Sequence, residues 1–341
     1  MPGEDYANIT NRVINKNNWD PNKTIPPTKI AYRPSDTNLN SGQSNGFLDC
    51  LKSLTTIKCL WLEGVNLLSK RIPNFTRVGD KVEALELVDC RIADAETFVN
   101  YLKHFTGLKR LLITLPIIGR GAPPNEPMLP TLKGSLQLDF ESEKGEVDSI
   151  LGGLFCFPLR FSRVCLIRGS PDTLLQTFLN SLGPTLVELE LDGEASTCRI
   201  CRMACLTATL FPVSWGSVDL RALNNLQRLE LMRYTIKSDL ILGTIKSINS
   251  TQLGALLLSF DADHLRRSCI AGRWKGGFDN LDRELLALHN RIGIGHTLYF
   301  CMVPTTQGDL MPTENMSRTL LRDFTGNERV VIDEMPRIAE R

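Results

Sequence analysis

The sequence is poor in the features that mark a polyanion binder, a membrane protein or a common enzyme. Its 341 residues hold 39 Lys and Arg against 38 Asp and Glu, a formal net charge of +1. No global field therefore draws the chain to nucleic acid or to anionic lipid. No apolar run approaches the roughly 18 residues that cross a bilayer, which argues against a membrane span. Phosphate-cradling and nucleophile motifs are missing: there is no G-x-x-x-x-G-K-[ST], G-x-G-x-x-G, G-x-S-x-G or H-E-x-x-H. Histidine occurs four times, as His104, His264, His289 and His296, never on one helical face with a carboxylate. No catalytic residue and no cofactor is expected from these absences. The opening "MPGEDYANITNRVINKNNWDP" contains no apolar stretch of the secretory kind. The expectation is a cytoplasmic or nuclear chain with reduced thiols and unused sequons.

What is present begins with 42% apolar residues, normal for a globular protein, in a chain long enough for one large or two ordinary cores. Of ten cysteines, Cys50, Cys59, Cys90, Cys156 and Cys165 sit among apolar neighbours, where a free thiol behaves as a small hydrophobe. The stretch "STCRICRMAC" differs, placing Cys198, Cys201 and Cys205 at CxxCxxxC spacing. A structural zinc site needs four ligands, and no second CxxC or HxxxH lies nearby. A metal-binding or redox protein built on these thiols is the alternative to the main reading below. "DADH" (261–264) reads as a polar turn, and "RRSCIAGRWKGG" (266–277) as a solvated loop.

The main signal is a recurring φxxφxφ, where φ is apolar. It appears as "IKCLWL" (57–62), "VEALEL" (82–87), "LKRLLI" (108–113), "FSRVCL" (161–166), "LVELEL" (186–191), "LQRLEL" (226–231) and "LGALLL" (253–258). "KGSLQL" (133–138) and "GHTLYF" (295–300) match in their second half. The fourth position serves as a marker and falls at 60, 85, 111, 136, 164, 189, 229, 256 and 298. Six of the eight steps lie between 25 and 28 residues; the others are 40 and 42.

The intervening segments have helical periodicity. "ADAETFVNYLKHF" carries Ala95, Phe98, Val99, Leu102 and Phe105 on one face, with Asp94 as its cap and His104 near its C-terminal dipole. "EVDSILGGLF", "SPDTLLQTFLNSLGP" and "KSDLILGTIKSI" repeat the pattern. A short strand plus a one-sided helix buries nothing alone, whereas stacked copies bury a continuous core. The expected fold is α/β, a right-handed solenoid with a concave parallel sheet and outer helices.

"VEALELVDCRI" (82–92) resembles LxxLxLxxCxxI, the cysteine-containing variant of leucine-rich repeats common in F-box/leucine-rich-repeat proteins. Other repeats place Pro116, Gly169, Glu194, Tyr234 or Asp261 where Cys90 stands. The style, including "RWKGGFDNLDRELLALHNR", is similar to fungal F-box/leucine-rich-repeat-like proteins. The resemblance implies a protein-binding scaffold, a substrate receptor related to F-box ubiquitin-ligase adaptors, with ubiquitin-ligase components among its partners. An F-box would start with Leu-Pro and three apolar helices, and residues 1–46 do not supply it. The expected organisation is a flexible or extended segment over 1–46 and a solenoid of about nine repeats over 47–303. Insertions are expected near 192–225 and 261–294, with a C-terminal cap of helix and strand over 304–341.

In such a sheet the residues one and three places after each marker point away from the helices. These rows hold Trp61, Glu63, Glu86, Asp139, Glu190, Asp192, Glu230 and Tyr299, and no Lys or Arg. Basic residues sit one or two places before the marker instead: Lys58, Lys109, Arg110, Arg163 and Arg228. An acidic, partly apolar stripe on the concave face, flanked by a basic one, is expected. It would suit a protein or peptide partner with basic and apolar groups, anchored by Trp61 and Tyr299.

Overall fold

The computed structural model describes residues 29–32, 57–67, 79–114, 116–119, 129–139, 144–167, 173–192, 217–234, 239–260, 275–292, 297–300 and 330–332. The chain forms two compact units, residues 1–161 and 162–341. Both alternate parallel strands with helices, so the architecture is α/β.

In the first unit the strands of the main sheet are β1 (Lys29–Tyr32), β2 (Cys59–Glu63), β4 (Ala84–Val88), β6 (Arg110–Thr114) and β8 (Leu132–Asp139), in that order and all parallel. Three two-residue strands, β3 (Asn66–Leu67), β5 (Arg91–Ile92) and β7 (Ile117–Ile118), form a second small parallel sheet. The helices are α1 (Ala95–Leu102) and α2 (Lys144–Leu154). Registration follows the repeat: Ile30, Leu60, Leu85, Leu111 and Leu136 stand side by side across the sheet. Period-2 alternation explains the burial, because marker leucines and the residues two places on turn into the core while their neighbours stay half-exposed.

Two devices end these strands. Gly64 and Asp89, at equivalent places after β2 and β4, adopt left-handed backbone (φ 64° and 48°), a conformation that glycine and aspartate tolerate best. Their amides donate to the next strand, Gly64 N to Val88 O and Asp89 N to Thr114 O, both at 2.9 Å. Cys90 follows, fully buried, and its thiol donates to the carbonyls of Leu62 (3.3 Å) and Val88 (3.5 Å). Asp94 then caps α1 by accepting from Thr97 N at 2.7 Å. Gly153 of α2 lies against Phe98 of α1: a Cβ there would come within 2.7 Å of the ring, so the absence of a side chain sets the helix spacing.

The second unit holds most of β9 (Leu159–Ile167), then β10 (Glu188–Asp192), β11 (Arg228–Tyr234), β12 (Ala255–Phe260), β13 (Thr297–Phe300) and β14 (Val330–Ile332), parallel in that order. Val164, Leu189, Leu229, Leu256, Leu298 and Val330 are in register. Its helices are α3 (Thr173–Leu182), α4 (Asp239–Ser247) and α5 (Lys275–Ile292). Arg291 of α5 donates to the carbonyls of Ile245 (3.4 Å) and Ile248 (3.2 Å), satisfying groups that the end of α4 leaves open.

Between β10 and β11, where the repeat step is 40 residues, residues 217–220 form neither helix nor strand. This strap is held by side chains from both flanking helices. Gln176 of α3 makes a paired contact with Asp219, donating to its carbonyl (2.6 Å) and accepting from its amide (2.9 Å). On the α4 side, Thr244 accepts from Val218 N at 2.9 Å and Ser247 accepts from Leu220 N at 2.8 Å. Val218 and Leu220 are buried, so the strap adds apolar side chains to the core while its backbone is bonded to α3 and α4.

Several expectations meet the structure here. The segment 1–46, read as flexible or extended, contributes β1, so parallel pairing begins upstream of residue 47. The 261–294 insertion contains the 18-residue α5, and the 304–341 segment contains β14. Cys198, Cys201 and Cys205 lie outside the described residues. Burial, then the neighbouring Lys103, lower the pKa of His104, which weakens the pairing with the α1 dipole expected of it.

A candidate interaction face on the strands

Relative to each marker, the exposed side of the strands presents three rows. The row one place before the marker contains Arg110 in the first unit, and Arg163, Glu188 and Arg228 side by side in the second. The row one place after it runs Trp61, Glu86, Leu112, Gln137 in the first unit. In the second unit the same row runs Cys165, Glu190, Glu230, Leu257, Tyr299. The row three places after contains Glu63, Val88, Thr114 and Asp139, and separately Ile167, Asp192 and Met232.

This last row departs from expectation. Asp139 and Asp192 are 5% and 3% exposed, so neither offers its carboxylate at the surface. The reason is position along the strand: these are the final sheet residues, and their lateral neighbours Thr114, Ile167 and Met232 are buried too. Glu63, at the same place in β2, remains half-buried. The available face is therefore essentially the single row after the marker. There Trp61 is half-buried, and the side chains of Glu86 and Glu230 are 13% and 15% exposed. Tyr299 takes its backbone place between Leu257 and Val331; its side chain lies outside the description.

The flanking basic residues are engaged with carboxylates. Lys58 and Lys109 both reach Glu83, at 3.1 and 2.8 Å, and together hold its carboxyl below the usual range. Arg110 approaches Glu86 (3.9 Å), Arg163 approaches Glu188 (3.4 Å), and Arg228 Nε donates to Glu230 Oε1 at 2.6 Å. Exposed pairs of this kind contribute little to stability. Their main effect is to neutralise the expected basic stripe and hold the carboxylates in place.

Glu190 sits differently. Its register neighbours are Glu230 and Cys165, and its hydrogen-bond partner is the Cys165 thiol. Burial, then the charge of Glu230, push its pKa up, against a smaller downward pull from the Cys165 hydrogen bond, then from Arg163 and Arg228. Burial likewise pushes the Cys165 thiol far up, with Glu190 adding to it, so the sulfur is a neutral donor here and not a nucleophile. Cys165 entered the sequence reading as a buried hydrophobe; the register of marker-plus-one positions is the signal that pairs it with Glu190.

Among the described residues, no group of three or more His, Cys, Asp or Glu side chains is arranged to hold a metal ion. No helix among them is long and apolar enough to cross a membrane. The chain has no significant match to a family model or to a curated protein.

Proposed function

We propose that the protein is a non-enzymatic interaction scaffold, a leucine-rich-repeat-like solenoid that recognises a protein or peptide partner on the strand face, concave in such a solenoid. The observation that carries this reading is the marker-plus-one row, where Trp61, Glu86, Leu112, Gln137, Glu190, Glu230 and Leu257 are partly exposed while the described marker residues beneath are buried. A rigid parallel sheet fixes these side chains at the ~4.8 Å strand spacing, so recognition costs little ordering. The chemistry fits a partner carrying basic and apolar groups: Trp61 and Leu112 offer apolar surface in the first unit, Glu190 and Glu230 carboxyls in the second. Tyr299 belongs to the same row, and Glu63 and Glu86 add acidity beside Trp61. A substrate receptor related to F-box ubiquitin-ligase adaptors, acting in cytoplasm or nucleus, is the more specific form of the proposal. It rests on the likeness of "VEALELVDCRI" to a cysteine-containing repeat.

Affinity capture with mass spectrometry, run in parallel on wild type and on the Glu190→Lys/Glu230→Lys double variant, tests it. Partners held by the face are lost from the variant while its circular dichroism stays native. Partners captured equally by both refute recognition at this row. Metal analysis of the same preparation decides the competing reading, since stoichiometric zinc or iron would favour the Cys198, Cys201 and Cys205 cluster.

A further inference from the structure

We propose that Glu190 and Glu230 form a proton-linked pair, with Glu190 the preferred proton carrier, so that the charge of the second unit's strand face steps by one with pH. This is a regulation of the docking face, and its consequence for binding rests on the reading above; the proton itself does not.

The geometry that carries it is the register of three neighbouring strands. Glu190 on β10 stands directly beside Glu230 on β11, and Cys165 on β9 stands on its other side. Parallel strands are about 4.8 Å apart, so register neighbours on one face share the same stretch of surface, and the charge of Glu230 makes ionising the half-buried Glu190 less favourable. Among the described side chains, the charged groups nearest the pair in register are the following; β11 also carries Arg233, whose side chain lies outside the description. β9 brings Arg163, which is paired with Glu188; β10 brings Glu188 and the buried Asp192; β11 brings Arg228, bound to Glu230 at 2.6 Å; β12 brings the apolar Leu257. Arg163 and Arg228 are thus committed to Glu188 and Glu230. Glu190 has a neutral thiol as its hydrogen-bond partner and a carboxylate as its neighbour. Protonating Glu190 removes the repulsion and leaves the Arg228–Glu230 pair intact. Protonating Glu230 would break that pair, so the proton goes to Glu190. A cation docked against Glu190 supplies what the pair lacks and expels the proton.

Carboxyl 13C resonances of glutamate-labelled protein test this, assigned with Glu190→Gln and Glu230→Gln. In wild type the Glu190 carboxyl is expected to titrate at higher pH than the other exposed glutamates. Removing the neighbouring charge in Glu230→Gln should move its midpoint down toward theirs. A Glu190 that titrates with the bulk in wild type, or whose midpoint ignores Glu230→Gln, overturns the pair. The wild-type curve decides the first point even if a variant fails to fold. Capture repeated above and below the Glu190 midpoint then reads the consequence. Stronger capture on the high-pH side supports the regulated face, and pH-independent capture with a normal proton titration refutes docking there while leaving the pair.

Discussion

Thr244→Val tests whether the strap at 217–220 is held as the hydrogen bonds indicate. Thr244 is fully buried in α4, and its hydroxyl oxygen accepts from Val218 N at 2.9 Å. Valine keeps the shape and β-branching of threonine and has nearly the same helix propensity, so packing and helix content stay constant. What changes is the hydroxyl, and with it the acceptor for Val218 N. Val218 is itself buried, so its amide would lose its partner where water cannot replace it. An orphaned buried donor costs about 1–3 kcal/mol. The methyl that replaces the hydroxyl recovers up to about 0.8 kcal/mol of transfer energy. The net expectation is a loss of about 1–2 kcal/mol, and at about 2–4 °C per kcal/mol a lowering of Tm by several degrees.

The assay pairs urea denaturation with amide hydrogen exchange. Exchange at Val218 should accelerate strongly in the variant, with a smaller effect at Leu220, whose amide is held by Ser247. Amides in the β2–β4 ladder, in the other unit, should be unaffected. A variant as stable as wild type, with unchanged Val218 exchange, would refute the account of the strap as clamped by side chains.

Glu83 makes a pH prediction. Its carboxyl titrates below the ordinary value because Lys109 and Lys58 bond to it, so the folded state binds fewer protons than the unfolded state. That contribution is present above the ordinary carboxylate range and disappears as pH falls through the depressed folded value. In the Lys58→Gln/Lys109→Gln variant, the fall in urea midpoint between pH 5 and pH 3 should become shallower, and added salt should mimic the substitution because the trio is exposed; identical pH profiles would remove Glu83 as a source. Thiol chemistry supplies another. Burial holds the Cys90 pKa at about 12, and Cys59 and Cys156 are only half-buried. Iodoacetamide at pH 8, followed by peptide mapping, should label Cys59 and Cys156 before Cys90, which should react only as fast as the chain opens; early labelling of Cys90 would contradict its place under the Leu62 and Val88 carbonyls.

How far the sequence reveals this fold depends on whether a feature is set by periodicity or by distant partners. The nine markers fall in strands, and their alignment across each sheet follows the spacing of leucines, because a slip of one residue would put every leucine on the wrong face. Asp94 was legible as a cap because capping needs only residues 94 and 97, three apart. Residues 217–220 carry no local pattern; their partners Gln176 and Thr244 lie 43 and 26 positions away in sequence. β1 was missed for a related reason: "KIAY" is too short to show alternation and is defined only by pairing with β2.

The misreading of Asp139 and Asp192 has a different origin, and it sharpens the candidate face. Alternation correctly assigns marker-plus-one and marker-plus-three to the same side of a strand, but it is blind to where the strand stops. Val88, Thr114 and Asp139 in the first unit, and Ile167, Asp192 and Met232 in the second, are buried despite the polar members among them, while Glu63 stays half-buried. For a partner docked as proposed, selectivity would come from the marker-plus-one row, whose strands are spaced at about 4.8 Å. An extended peptide repeats every second residue at about 6.6 Å, so one laid across the strands falls out of step after two or three repeats. One turn of a helix advances 5.4 Å, much closer to the strand spacing. A helical segment with basic and apolar residues at i, i+3 or i+4 thus matches the row over more strands than an extended one, and stapling such a peptide into a helix should tighten its binding to wild type more than to Glu190→Lys/Glu230→Lys.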